Sequence, residues 1–317
     1  MKSKIMPLKN VHPGGADVLH SCGTGWKPTR LPPEGMGICW QMKRLEELQA
    51  GIFLIRDTAD EWETNYFISG EQAGAWIDHN EVTGVLFSDC FFIVRERNDF
   101  LHLYFVAVKS KQFMDDLLAL QKFFRRKIVV DLVGEMRSMR EMLMQCRFFS
   151  YRTLTRMVGK TSSLHSFRQS ISIDFARQED VRALLDILYE NMDPLCEQIP
   201  TDYELSSAIQ KRQILVHRPN EISTPAAFLF FERHGVTCCL RYWACRTQWK
   251  NQGIGSALYR ANIEENRNAK RFLLWVRDDN HTAKSMYQAY GMRFDHLQDE
   301  VMVYEASREQ RKIKERL

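Results

Sequence analysis

WKNQGIGSAL, residues 249–258, is the stretch on which the reading of this chain turns. Gly253 and Gly255 follow a strand-like apolar run, Cys238–Cys245, and precede a helical stripe formed by Ile254, Ala257, Leu258 and Ala261. Glycines between strand and helix let backbone come close to something. The first turn of a helix offers unpaired N–H groups and the positive end of the macrodipole, so a phosphate or pyrophosphate is the expected guest. The loop is not a dinucleotide fingerprint, because Leu258 stands where the third glycine belongs, and it is not a Walker loop, because no Gly-Lys-Ser/Thr follows. An isolated glycine pair is more often a tight turn or close packing, so its meaning depends on the surrounding order.

That order occurs twice. In the second half, a strand (170–176), helices at 179–192 and 201–211, and strands at 213–217, 226–233 and 236–245 lead to the glycine loop, with His234 and Gly235 turning a hairpin. After the loop come a helix, a strand at 271–276, a helix at 281–291 ending on glycine, and two strands, MRFDHL and VMVYEA. The first half runs through strands in 82–108, helix 113–124, strand 127–133, helix 139–146 and strand 148–157. Two copies of one α/β unit are the economical reading, joined by the polar linker 158–169. The copies differ at the loop. From Cys245 to Phe272 is 27 residues and from Val108 to Ile128 is 20, so copy one is seven residues short there and has no glycine.

Composition narrows the partners. The 317 residues, 44% hydrophobic, supply two ordinary cores, and a net charge of +4 from 44 basic and 40 acidic residues, without a basic-aromatic groove, argues against nucleic acid. The eight cysteines lack Cys-x-x-Cys spacing, so no metal site and no disulfide framework is expected, and a cytoplasmic setting fits. No apolar run approaches the 18 residues of a membrane span. Residues 1–36 read as an irregular leader and 306–317 as a charged tail.

Two motifs together resemble a known family. KNQGIG (250–255) resembles the acyl-CoA signature of the GCN5-related N-acetyltransferases, [RQ]-x-x-G-x-[GA], with Lys250 at the first position, and NHTAKSMYQAYGM (280–292) is similar to that family's second motif. The resemblance covers 170–305 and makes 37–157 a degenerate copy, with Leu143 and Arg147 at the positions of Tyr287 and Gly291. The implied fold is α/β (α+β), two domains each with a mixed, mostly antiparallel sheet flanked by helices, and a splayed strand pair at the acyl-CoA site of the second. The resemblance implies that the backbone of Trp243, Ala244 and Cys245 pairs with the pantetheine arm. Amides of Asn251, Gln252, Gly253, Ile254, Gly255 and Ser256 would grip the pyrophosphate, Lys250 would add charge at its rim, and Asn280 would lie near the arm. Tyr287 would be the general acid that protonates the departing thiolate; by spacing alone it reads as one of a core stripe with Ala283, Met286 and Tyr290.

The expected activity is transfer of an acetyl group from acetyl-CoA, or another acyl-CoA, to a primary amine of a small molecule or peptide by direct attack. A non-catalytic acyl-CoA-binding module and an aminoacyl transferase on a doubled fold are the alternatives. Relatives acting on protein N-termini carry Glu where this chain has Trp275, which leaves the base unassigned among Asp278, Asp279 and Glu232. The acidic connection 190–204 (Glu190, Asp193, Glu197, Asp202, Glu204) suits a cationic acceptor. Cys245 reads as a strand-end core thiol rather than a nucleophile. The first copy could take the place of a dimer partner.

Overall fold

The computed structural model describes residues 19–108, 110–160, 171–220 and 223–306. Contacts divide the chain into two compact units: residues up to Leu132, Met136–Phe149 and Met302 onward form the first, and Val133–Glu135 with Ser150–Val301 the second.

The first half contributes β1 (Leu19–Thr24), β2 (Gly37–Gln41), α1 (Leu45–Arg56), β3 (Trp62–Thr64), α2 (Gly70–Asp78), β4 (Val82–Leu86), β5 (Cys90–Glu96), β6 (Leu101–Val108), α3 (Gln112–Phe124), β7 (Ile128–Val133), α4 (Arg137–Gln145) and β8 (Phe149–Gly159). β5 and β6 are apolar on both faces and almost wholly buried, as expected of strands with helices on either side. The order β1-β2-β4-β5-β6-β7 is antiparallel from β2 to β6 and parallel between β6 and β7. Its core gathers Phe92, Phe105, Phe113, Leu117, Met139 and Leu143.

The second half contributes β9 (Asp174–Phe175), α5 (Val181–Asn191), α6 (Asp202–Gln210), β10 (Ile214–His217), β11 (Ala227–His234), β12 (Thr237–Cys245), α7 (Ile254–Glu265), β13 (Arg271–Arg277), α8 (His281–Ala289) and β14 (Arg293–Tyr304). α6 starts on a capping box in which Thr201 Oγ1 accepts from the Glu204 amide and Glu204 accepts from the Thr201 amide. Its sheet runs β14-β8-β13-β12-β11-β10-β9. One face carries α5 and α6 over Phe228, Phe230 and Tyr242; the other carries α7 and α8 over Leu229, Phe231 and Leu240.

The series β2-α1-α2-β4-β5-β6-α3-β7-α4-β8 matches β9-α5-α6-β10-β11-β12-α7-β13-α8-β14 element for element. The copies repeat backbone detail too. Asn80 and Arg212 have φ of +59° and +52° two residues past α2 and α6, and Arg147 and Gly291 have φ of +67° and +79° two residues past α4 and α8. Arg147 keeps a conformation that only its counterpart glycine adopts freely. Relief of about 1–2 kcal/mol of left-handed strain against about 0.5–1 kcal/mol of extra unfolded-chain freedom means Arg147→Gly should stabilise the protein by about 0.5 kcal/mol, read as a rise in Tm; Arg147 is exposed, so no packing is lost.

Three expectations change. The leader is not irregular throughout, because Leu19–Thr24 pairs in parallel with β2. MRFDHL and VMVYEA form one continuous strand, β14. The final strand of copy one, placed by sequence inside a domain ending at 157, lies in the second unit, where Leu154–Gly159 pairs antiparallel with Arg277–Phe272 of β13. Alternation of apolar residues marks a strand but not its neighbour, so sequence alone could not assign it. The rest of the leader (1–18), most of the linker (161–170) and the tail (307–317) lie outside the described residues. Among the described residues no helix is long and apolar enough to cross a membrane.

Candidate active site

The site grows from an irregularity in β12. Phe230 pairs with Tyr242 and Phe231 with Leu240, so Arg241 is an extra residue, a β-bulge. Before the bulge Cys238 and Leu240 face α7 and α8; after it Trp243 and Cys245 do, while Tyr242 and Ala244 turn to α5 and α6. The parallel pairing of β12 with β13 runs from Thr237/Arg271 to Leu240/Leu274 and stops there, although β12 continues to Cys245 and β13 to Arg277. The strands therefore part beyond Leu240. Trp243, Ala244 and Cys245, the predicted backbone contacts, lie on the free stretch, still paired on the β11 side.

The chain leaves β12 through a 3-10 turn, Thr247–Trp249, clamped by Glu190, which accepts from the Thr247 amide (3.0 Å) and hydroxyl (2.9 Å). Those two bonds, the backbone one foremost, lower the Glu190 pKa. Glu190 thus holds the loop. Lys250 follows, exposed; Asn251 (φ +63°) and Gly253 (φ +79°) then bend the chain into α7. Among the described residues no hydrogen bond engages the amides of Asn251, Gln252, Gly253, Ile254, Gly255 or Ser256, whereas the Lys250 and Ala257 amides do bond within the protein. The six free donors are consecutive. Gly255 needs glycine for neither φ nor packing: a Cβ there would meet the Trp243 ring at an ordinary 3.6 Å.

α8 covers the gap with an aromatic cluster. Trp243 stacks on Tyr259 (centroids 5.3 Å apart, 7° between planes) and meets Tyr287 at 5.7 Å, while Tyr259 and Tyr290 stand 4.6 Å apart and Tyr290 shares a 2.6 Å hydrogen bond with Ser256. Such pairs add roughly 0.5–1.5 kcal/mol each beyond burial. Asn280 is the N-cap of α8, accepting from the Ala283 amide at 3.1 Å. No residue of α8 is fully buried, yet Met139 and Leu143 of α4, the counterparts of Ala283 and Tyr287, are. The same helix is thus a core element in copy one and only partly buried in copy two. Tyr287 is half-buried by area but ringed by protein; burial first, then the carboxylate of Glu197, pushes its phenol well above the usual tyrosine pKa. Among the described residues no hydrogen bond engages its hydroxyl.

The acidic candidates separate. Asp278 is held by Thr155 (2.5 Å) and Lys284 (2.7 Å). Asp279 is bound by Arg277 (3.0 Å), whose hydrogen bond and charge outweigh burial and keep it below the usual carboxylate range. Glu232 lies on the β11–β12 hairpin opposite Cys239, 3.3 Å from His234 and 3.8 Å from Arg241. Glu197, on the α5–α6 connection, accepts from the Asp193 amide (2.7 Å) and lies 3.5 Å from Arg277; burial raises its pKa against both of these interactions. Asp193 in turn accepts from Tyr151 of β8 at 2.7 Å, so a strand from the first half helps shape this mouth. Sequence reasoning missed Tyr151, because nothing in 148–157 signals which sheet it joins.

The site is thus a bulged and parted parallel strand pair with consecutive free amides at its open end. Residues 181–292 match the model of the acetyltransferase (GNAT) family, and that part of the chain is a domain of this family. A GCN5-related N-acetyltransferase from Sphaerobacter thermophilus shares the fold over 76% of this chain and 86% of its own, at 13% identity and a TM-score of 0.55. A GCN5-related N-acetyltransferase from Kribbella flavida does so over 84% and 70%, at 8% identity and 0.53. A conserved protein from Enterococcus faecalis V583 covers 86% of this chain and 72% of its own, at 8% identity and 0.55. Among curated proteins none matches.

Proposed function

We propose that the second unit transfers an acetyl or other acyl group from acyl-CoA to a primary amine by direct attack in a ternary complex. The observation that carries this reading is the set of six consecutive free amides, 251–256, at the mouth of the parted β12 and β13. Amides converging at a helix start suit a diphosphate, and Lys250 stands exposed beside them. Bound acyl-CoA would supply the activated thioester carbonyl. The free backbone of Trp243–Cys245 would hold the arm, and an amide there would stabilise the developing oxyanion. Tyr287, kept protonated by its raised pKa, would give its proton to the departing thiolate. The acceptor is a cationic amine entering past Asp193 and Glu197. Eight cysteines without Cys-x-x-Cys spacing suit a reducing compartment such as the cytoplasm.

The test is calorimetric binding of acetyl-CoA followed by CoA release on a panel of amines. Saturable binding with amine-dependent release supports the reading, and absence of binding ends it. Cys245 enters this chemistry only as packing. Burial raises its thiol pKa, so little thiolate forms at neutral pH, and Cys245→Ser should keep kcat within about threefold of wild type. Accumulation of an acyl-enzyme by mass spectrometry would contradict direct transfer.

A further inference from the structure

The internal copy shows where the α5–α6 connection points. In copy one, β6 and β7 pair only at Leu101/Ile128 and His102/Val129 and then separate, as β12 and β13 do. There the α1–α2 connection fills the gap. Trp62–Thr64 adds as an antiparallel strand along Val106–Val108, and Asn65 plugs the fork. Its Nδ2 donates to the carbonyls of Leu103 (3.1 Å) and Asp131 (3.0 Å), one on each strand, and its Oδ1 accepts from the Phe105 amide (2.8 Å).

Asn65 stands four residues before Ser69, the N-cap of α2; Glu197 stands four residues before Thr201, the N-cap of α6. The connection in copy two also touches both parted strands: Tyr242 of β12 donates to the Gln198 carbonyl at 2.6 Å, and Arg277 of β13 approaches Glu197. The chemistry differs by one group. A carboxamide can donate to two strand carbonyls and close the fork, but a carboxylate has nothing to donate. Glu197 must instead face donors: the Asp193 amide, Arg277, and an incoming N–H.

Resting on the transferase reading above, we propose that Glu197 is the proton acceptor for the attacking amine. The ammonium first loses one proton to water; the neutral nitrogen then bonds to the acyl carbon as the carbon–sulfur bond breaks, its surplus proton passes to the Glu197 carboxylate, and the thiolate takes the phenolic proton of Tyr287. Both groups then return to their starting states by exchange with water. Around Glu197 stand Asp193 from its own connection, Arg277 from the end of β13, Asp279 from the turn after it, and Tyr287 from α8.

The experiment measures acetyl-CoA affinity by calorimetry and kcat from pH 5.5 to 9.5 with spermidine, phenethylamine and a lysine-containing tripeptide, for wild type, Glu197→Gln and Glu197→Asp. The glutamine variant preserves acceptors for Asp193 and Arg277. The expected result is an acetyl-CoA Kd within about twofold of wild type, kcat lowered on the order of 100-fold, and loss of the acid-side limb of the kcat profile, with partial rescue by aspartate. That limb is separate from the amine's own, near a pKa of about 10. Glutamine with kcat within about threefold of wild type, or with the acid limb unchanged, overturns the assignment. Wild-type protein that binds acetyl-CoA but serves none of the amines also counts against it. A wild type that fails to bind acetyl-CoA defeats the underlying reading instead, and the calorimetry reports that separately.

Discussion

Gly253→Val is expected to weaken acetyl-CoA binding by at least about 100-fold, equivalent to about 2.7 kcal/mol, while the protein remains folded. Gly253 is the N-cap of α7 at φ +79°, a region that a β-branched residue enters only at a cost of about 1–3 kcal/mol. The chain would relieve that strain by rotating the peptide planes on either side, and those planes carry the amides of Gly253 and Ile254 that belong to the free set. Ile254, Leu258 and Tyr259 anchor α7 in the core on its other face, which limits the damage to the loop. Calorimetry with acetyl-CoA, beside a thermal melt, reads both quantities. Unchanged affinity in a folded variant would show that the amides do not hold the ligand.

Tyr287→Phe should lower kcat by roughly 10²–10⁴-fold with little change in acetyl-CoA affinity or Tm. The ring meets Trp243, and phenylalanine preserves that contact; among the described residues the hydroxyl has no hydrogen-bond partner whose loss would unsettle the fold. The pH dependence follows in sign. Tyr287 must be protonated to donate, and burial raises its pKa above the ordinary value, so activity should fall with rising pH only beyond the usual tyrosine range. Wild-type kcat should therefore show no loss attributable to this group up to about pH 10. A basic limb near pH 8 that vanishes in the phenylalanine variant would reverse the direction assigned to its pKa. Tyr290→Phe makes a useful contrast, because it breaks the bond to Ser256 without touching Tyr287.

Much of the fold could be read from the chain because its periodicities are strong. Apolar spacing marks α5 and α7, apolar runs mark β11 and β12, and Thr201 with Glu204 announces the start of α6. The seven-residue deficit in copy one located the loop, and the glycines at 253 and 255 told that backbone, not side chains, faces outward there. Those are local properties, fixed by steric and hydrogen-bonding rules within a few residues of each other. The bulge at Arg241 was illegible, since one extra residue in a strand changes only which face its successors occupy, and that depends on the partner strand's register.

The sequence by itself determined the doubled series of elements, the free-amide loop and the position of Tyr287 on a helix. Only the tertiary structure decided that β8 joins the second unit, that Glu190 clamps a loop while Glu197 turns to the mouth, and that Asn65 seals in copy one what stays open in copy two. The reason is physical. Local backbone preferences are set by neighbours along the chain, but strand pairing and the partners of buried polar groups are chosen among residues far apart in sequence, by which arrangement leaves the fewest unsatisfied donors and acceptors.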